Sequence, residues 1–411
     1  MLAIFTFFNV LLYFSNAHLY FFDARLTSFK PLYWYFITIA VGGLLLVFHQ
    51  GARIPRPASM RLIGWALLFM AMAAVSFVLM TGTSRVAMQV LITACEAMAL
   101  LVMFSLFLQD ERSARVAAYA VFLVVVFSVV MNYVDFANLF GGAVHLSIVH
   151  GRAAGLYENP NISGQALAMG MVLSASLVPK RLRWLFCLFV ATGVVLTFSR
   201  GAIILWMIAV LGLAWADMFV LRRMTSVAVM GLLVIALTAA LTAGGWVGAF
   251  RAAGLGSYLD ADTSSRIGQS FLDQRDYSSR ARLAVAQRGL ELFLERPFFG
   301  WGIGSTQDLY SGVSTHDMFI LLGAEYGIIG VLIFCALIWV LWRAHTEHSG
   351  LIALLYGVAG LFSHNNLEAS SVMVVLALAV GGWGLRGKGG DGDGSGRPGP
   401  KILGEDWHAG T

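Results

Sequence analysis

Residues 279–330 read SRARLAVAQRGLELFLERPFFGWGIGSTQDLYSGVSTHDMFILLGAEYGIIG, and this stretch decides the fold. Its first half is polar and rich in arginine, whereas long apolar runs lie before and after it. His316 stands where the polar loop gives way to an apolar run, at the point where the chain would enter a bilayer. An ionisable residue at such a boundary is a candidate functional residue.

The composition is that of a membrane protein. Of the 411 residues, 59% are apolar and 12% are charged, whereas about a quarter of a soluble domain is charged. The apolar runs are long enough to cross roughly 30 Å of hydrocarbon as helices, and they lack the alternation of a membrane β-barrel. We therefore predict an all-α polytopic membrane protein with about twelve transmembrane helices. They are expected at 1–21, 32–48, 62–80, 86–108, 115–133, 161–178, 184–198, 201–220, 225–243, 316–342, 350–363 and 369–385.

Basic residues predict the orientation of these helices. They fall in alternate loops, which the positive-inside rule assigns, with both termini, to the cytoplasm; they are Arg53, Arg56, Arg61, Arg112, Arg115, Lys180, Arg181, Arg183, Arg222, Arg223 and Arg343. The predicted organisation is N-terminal transmembrane helices at 1–243, a periplasmic loop at 244–315, C-terminal helices at 316–386 and a Gly-rich disordered tail at 387–411.

The net charge and the cysteines point to no further partner. The topology and anionic lipid headgroups account for the net charge of +5, so we expect no nucleic-acid partner. Cys95, Cys187 and Cys335 lie in predicted helices without paired spacing. They are expected to be core residues, and no metal or other cofactor is predicted.

The loop 244–315 carries the polar chemistry of the external face. At roughly seventy residues it is long enough to be functional or disordered. Apolar residues at helical spacing between 283 and 294 predict an amphipathic helix at 280–295 that lies along the membrane interface. Every basic residue of the loop is arginine, whose planar guanidinium binds pairs of phosphate oxygens. Ordinary ion pairs with the loop's own carboxylates remain an alternative for each one.

Two further candidates lie at predicted membrane boundaries. Arg200 interrupts an apolar run, so it must meet water, a carboxylate or an anionic ligand. The neutral imidazole of His316 can take a proton from a hydroxyl group, and we expect Thr315 or Ser314 to cap the helix that follows it. His364, in the sequence SHNNLE, competes with His316 as the base. Trp301, between glycines, could stack on a sugar ring.

Four segments together resemble the bacterial O-antigen ligase and polymerase family. They are RAAGLYENPN at 152–161, SRGA at 199–202, ARLAVAQRGLELFLERPFFGWGIG at 281–304 and THDMFILLGAEYGIIG at 315–330. The family commonly has Asn after the key histidine and Trp near position 286, where this chain has Asp317 and Ala286.

The resemblance implies a membrane glycosyltransferase of type C in the bacterial inner membrane, with its active site facing the periplasm. Its donor would be an undecaprenyl-diphosphate-linked glycan and its acceptor lipid A-core, with no metal and no ATP. The resemblance implies that Arg200 and Arg282 bind the diphosphate and that His316 activates the acceptor hydroxyl. The further substrate-binding candidates are Arg152, Asn161, Arg280, Trp301 and Asp317.

Three other functions stay open. An O-antigen polymerase would use the same donor at both positions, and a protein O-oligosaccharyltransferase would use a protein acceptor. A lipid or glycan transporter would also explain intramembrane Arg and His, although the sequence shows no convincing internal repeat.

Overall fold

The computed structural model describes residues 1–48, 55–137, 152–220, 277–308 and 315–381, and isolated positions between 225 and 231. For residues 277–282 it describes the backbone alone. The predicted helix 225–243, most of the predicted loop 244–315 and the predicted disordered tail 387–411 lie outside the described residues.

The described residues form α-helices joined by short turns, with no strand among them. The helices are α1 Leu2–Phe14, α2 Ala17–Asp23, α3 Pro31–Phe48, α4 Pro57–Ser76, α5 Arg85–Phe107, α6 Glu111–Phe136, α7 Pro160–Ser174, α8 Arg183–Leu196, α9 Arg200–Trp215, α10 Tyr277–Glu295, α11 Ser305–Asp308, α12 Met318–Trp342, α13 Ser349–Gly360 and α14 Ser370–Gly381. A π-helical turn, Phe77–Thr81, extends α4, and single 3₁₀ turns lie at Ala175–Leu177, Lys180–Leu182 and Asn365–Leu367. The predicted all-α class is confirmed.

Local sequence signals set where the helices begin. Proline occupies the first position of α4 and α7, where its missing N–H costs no helical hydrogen bond. Side-chain oxygens of Ser84 and Asp110 accept the backbone N–H groups of Ala87 (3.0 Å) and Ser113 (2.8 Å), and so cap α5 and α6.

Five helices are long and apolar enough to cross a membrane: α3, α4 with its π turn, α5, α6 and α12. The pair α1 and α2, bent by 54°, would make a sixth if it is one span. The helices α9, α13 and α14 are apolar but shorter. The chain is thus a membrane protein with five or six candidate spans in its described part, and the count of twelve stays a prediction.

The described parts of several loops that were predicted to be cytoplasmic lie together at one end of the bundle. The guanidinium of Arg56 donates to the carbonyl of Gly381, and its backbone N–H donates to the side chain of Gln109 at 2.9 Å. The hydroxyl of Thr346 donates to the carbonyl of Ala379 at 2.6 Å. Loops far apart in sequence therefore share one face, as the alternation of basic residues requires. Which face meets the cytoplasm stays a prediction.

Helix α12 is broken at Gly327, which adopts φ +66° and ψ −156°. The backbone N–H of Ile328 turns to the carbonyl of Pro297 at 2.7 Å. The carbonyls of Ala324 and Glu325 accept instead from the backbone N–H groups of Trp301 (2.9 Å) and Gly302 (2.8 Å). The loop 297–304 therefore pairs the backbone groups that the break leaves open, as non-helical backbone inside a membrane protein requires.

Candidate active site

Arg200 is the first residue of α9, directly after a tight turn. The hydroxyl of Ser199 accepts the N–H of Ala202 at 3.3 Å and caps the helix. In the same turn, Phe198 adopts a positive φ of 47°. The amino-terminal end of a helix favours anions, so the dipole of α9 and the charge of Arg200 act in the same direction.

Arg152 and Asn161 support the Arg200 turn from within the protein. Arg152 is only 3% exposed. Its Nε donates to the carbonyl of Thr197 at 2.8 Å, and a terminal nitrogen donates to Oδ1 of Asn161 at 3.0 Å. Both residues were predicted to contact substrate. In the structure they hold the turn between α8 and α9 against the start of α7, and their contact with substrate stays a prediction.

His316 and His364 lie side by side, with ring centroids 5.4 Å apart. The turn that holds His364 also reaches the residue after Arg200: a Cβ added to Gly201 would lie 3.1 Å from Cβ of Phe362, two residues before His364. The two histidines that compete in the sequence as the base therefore belong to one site. Burial, and to a smaller extent the neighbouring His316, lowers the pKa of His364 from 6.5 to about 4.

Asp317 caps α12 and so fixes where this helix begins, directly after His316 and Asp317. Its Oδ1 accepts the N–H groups of Phe319 at 2.8 Å and Ile320 at 3.0 Å. The expectation that Thr315 or Ser314 caps this helix is wrong, because the helix begins at Met318, two residues later than a cap at Thr315 would require and three later than a cap at Ser314 would require. The hydroxyl of Thr315 donates instead to the carbonyl of Asp317 at 3.1 Å. A carboxylate predicted to bind substrate thus accepts from the helix amino terminus beside His316.

The predicted amphipathic helix is present as α10, and it packs against the start of α12. A Cβ on Gly289 would lie 2.7 Å from the side chain of Thr315, directly before His316. Arg282 lies seven residues before Gly289, two helical turns along, and so has a place on the same face of α10. The side chains of Arg280 and Arg282 lie outside the described residues.

The outer surface of α10 has a charged side and an apolar side. On the charged side, Arg288 donates to Glu291 at 2.8 Å and approaches Glu295 at 3.5 Å. The exposed leucines are Leu283, Leu290 and Leu294. A helix with this division is suited to a membrane interface.

Trp301 already has partners within the chain. The guanidinium of Arg296 lies over its ring, 3.8 Å from the centroid. Its Nε1 donates to the carbonyl of Leu292 at 3.0 Å. One face of the ring predicted to stack on a sugar is therefore covered by arginine in this structure, and Trp301 joins the end of α10 to the loop 297–304.

Two carboxyl groups lie near the site: Glu325, which the sequence analysis missed, and Glu368, the last residue of the sequence SHNNLE. Glu325 is 4% exposed, and the hydroxyl of Thr306 donates to its Oε1 at 2.7 Å. Burial raises the pKa of Glu368, at the end of the turn that holds His364, from 4.5 to about 7. A carboxylate inside an apolar run was the available signal for Glu325. In the described part of the chain, no group of three or more His, Cys, Asp or Glu side chains could hold a metal ion.

Glu368→Gln should raise the melting temperature at pH 8 by roughly 2–4 °C and leave it nearly unchanged at pH 4.5. The folded pKa lies above the unfolded value, so the stability from the neutral carboxyl is complete below pH 4.5 and is lost as the pH rises through about 7. Melting curves in detergent would measure this. The exposed Glu291→Gln serves as a control, and equal gains at both pH values would show that ionisation of Glu368 is not the cause.

Comparison with known protein families identifies the segment that contains most of these residues. Residues 185–335 match the family model for O-antigen ligase. The chain carries an O-antigen ligase domain. The resemblance seen in the sequence is thereby confirmed. No similar curated protein and no similar solved structure was found.

The O-antigen ligase domain includes Arg200, Arg282 and His316, and it ends before His364. Members of this family are glycosyltransferase-like ligases and polymerases of lipopolysaccharide biosynthesis. Arg152 and Asn161 lie before the matched segment, and Arg152 contacts it at Thr197. The site is therefore assembled from the O-antigen ligase domain and from chain segments on both sides of it.

Proposed function

We propose that this protein is an O-antigen ligase that transfers a glycan from undecaprenyl diphosphate to a sugar of lipid A-core on the periplasmic face of the inner membrane. One observation carries the proposal. The start of α9 at Arg200 and Gly201 and the start of α12 next to His316 meet at the turn that holds His364, and α10 packs beside them.

In this proposal the arginines stabilise the leaving group. The donor already carries a good leaving group, so the main demand is for positive charge as the bond to the diphosphate breaks. Arg200, at the positive end of α9, and Arg282, on the face of α10 that meets the start of α12, are proposed to bind the diphosphate oxygens. Arg280, two residues before Arg282, is a secondary candidate.

His316 is proposed to take the proton of the acceptor hydroxyl. The hydroxyl attacks the anomeric carbon on the face opposite the diphosphate, so a single displacement inverts the configuration there. A retaining reaction would need a carboxylate nucleophile next to that carbon. Both substrates are anchored in the same leaflet, and this confinement lowers the entropic cost of bringing them together.

The identity of the acceptor tests the proposal. Purified protein would be incubated with an undecaprenyl-diphosphate glycan, with and without lipid A-core, and the products would be separated on a gel. A ligase is expected to form product only with lipid A-core. Longer lipid-linked glycans without that acceptor would establish a polymerase instead, and no product in either reaction would overturn the glycosyltransferase assignment.

A further inference from the structure

Residues 361–368, which we term the His364 turn, contact three parts of the site. Phe362 packs against Gly201, next to Arg200. Oδ1 of Asn366 accepts from Nε2 of Gln165 in α7 at 2.9 Å. The ring of His364 lies 5.4 Å from that of His316. The turn follows the matched O-antigen ligase segment in sequence and yet lies at the centre of the proposed site.

Helix α13 also holds the His364 turn in place. The backbone carbonyl of Asn366 accepts from the hydroxyl of Tyr356 in α13 at 3.2 Å, and Asn366 is 1% exposed. Fixed at both Asn366 and Phe362, the turn gives His364 a defined place beside His316. A supporting residue that is itself held by packing and hydrogen bonds can orient a catalytic group.

One ring nitrogen of His364 is available to accept a hydrogen bond. Its Nδ1 is buried and has no hydrogen-bond partner among the described residues. The ring centroids of His316 and His364 are 5.4 Å apart and the rings are tilted by 59°. A rotation of the His316 ring that turns one of its nitrogens toward Nδ1 of His364 would bring the two atoms to about 3 Å, which is hydrogen-bond distance. Because burial keeps His364 neutral near pH 7, its ring has one acceptor nitrogen for a protonated neighbour.

We propose that His364 is a positioning residue that orients the imidazole of His316 and shares the proton that His316 takes from the acceptor hydroxyl. This inference rests on the proposed function. In the transfer step, the acceptor O–H bond breaks and its proton passes to His316, while the oxygen forms a bond to the anomeric carbon. The bond from that carbon to the diphosphate breaks, and its electron pair leaves with the diphosphate.

A neutral His364 favours the transfer of the acceptor's proton to His316. The imidazolium of His316 donates a charge-assisted hydrogen bond to the neutral ring of His364, whereas a protonated His364 would repel the new charge on His316. The proton then passes to water, and His316 is again neutral. Among the described residues, the other charged or titratable groups near this pair are Asp317, which follows His316 and accepts from the amino terminus of α12, Arg200, beyond Gly201, and Glu368, at the end of the His364 turn. Asn366 and Gln165, the polar partners of the turn, are neutral.

The test compares His364→Phe, which cannot accept a hydrogen bond, with His364→Gln, which can. We expect His364→Phe to lower kcat by about 10- to 100-fold with little change in the donor KM, and His364→Gln to recover part of the loss. In His364→Phe the acid limb of the pH profile of kcat/KM should move to lower pH by roughly 0.5 or more, because protonated His316 loses its hydrogen bond.

His348→Gln is the matched control. His348 is 6% exposed, and burial also lowers its pKa to about 4, but it lies beside α13 at the opposite end of the bundle. For His348→Gln we expect a lower melting temperature but no shift in the acid limb of the pH profile of kcat/KM.

The pKa of His316 itself, followed by NMR of labelled histidine, gives a readout independent of turnover. A lower pKa in His364→Phe is expected, and an unchanged pKa and pH profile would overturn the role of His364. Failure of the unmodified protein to transfer glycan would instead count against the proposed function, while the NMR comparison would still test the contact between the two histidines.

Discussion

Arg200→Ala and Arg282→Ala are each expected to reduce glycan transfer by at least about 100-fold while the protein still inserts and folds. Removing one preorganised group that stabilises charge in a transition state typically costs 10²- to 10³-fold in rate. Arg200 begins α9 at its positive end, and Arg282 is two helical turns before Gly289, the residue of α10 that meets Thr315 at the start of α12. The measurement is the initial rate of transfer by purified variants, with the elution profile as a check of folding.

The lysine variants separate charge from geometry. Arg200→Lys and Arg282→Lys keep the charge but lose the planar pair of donors, so we expect them also to be impaired. Arg288→Ala is the control on α10, because Arg288 pairs with Glu291 and Glu295 on the exposed charged side and should be dispensable. Normal rates in either alanine variant would remove that arginine from the mechanism, and full activity of both lysine variants would show that charge alone is needed.

Gly327→Ala is expected to destabilise the protein by about 3 kcal/mol or more and to abolish activity as a result. The backbone at Gly327, with φ +66° and ψ −156°, is a conformation that essentially only glycine adopts. A Cβ there would also overlap the backbone carbonyl of Phe298. The chain cannot relieve this overlap without displacing the loop 297–304 from α12. Loss of folded protein after mild heating, followed by size exclusion, measures the effect.

The control is Gly64→Ala in the middle of α4, where a Cβ meets nothing within 4 Å. Alanine has the higher helix propensity, so this variant should be as stable as the original protein or slightly more so. Similar stability of the two variants would mean that the break in α12 tolerates a side chain.

Helix positions were largely predictable from the sequence. Apolar runs indicated α3 to α9 and α12 to within a few residues, because a run that faces lipid or other helices must be apolar along its length. The helix α10 followed from the spacing of its leucines. The break at Gly327 was not predictable in the same way, because AEYGIIG reads as a continuous apolar run and the partners of the freed backbone lie in the loop 297–304.

The candidate site was predictable residue by residue but not as an arrangement. His316 and His364 both stood out, but nothing in their spacing says that two loops place their rings 5.4 Å apart. Arg152 stood out as a substrate-binding candidate, but its charge alone could not reveal that its guanidinium bonds to Thr197 and Asn161. Contacts between distant segments depend on packing, which a single sequence does not display.

The short helices around the site have a consequence for the surrounding lipid. Helices α7, α8 and α9 contain 15, 14 and 16 residues, so each is about 21 to 24 Å long, less than the roughly 30 Å of an average hydrocarbon layer. Where such helices meet acyl chains, hydrophobic mismatch draws the headgroup layer inward. In the proposed function, this brings the headgroup layer toward Arg200, so that the phosphate groups of the lipid-linked donor reach it without being pulled out of their own leaflet.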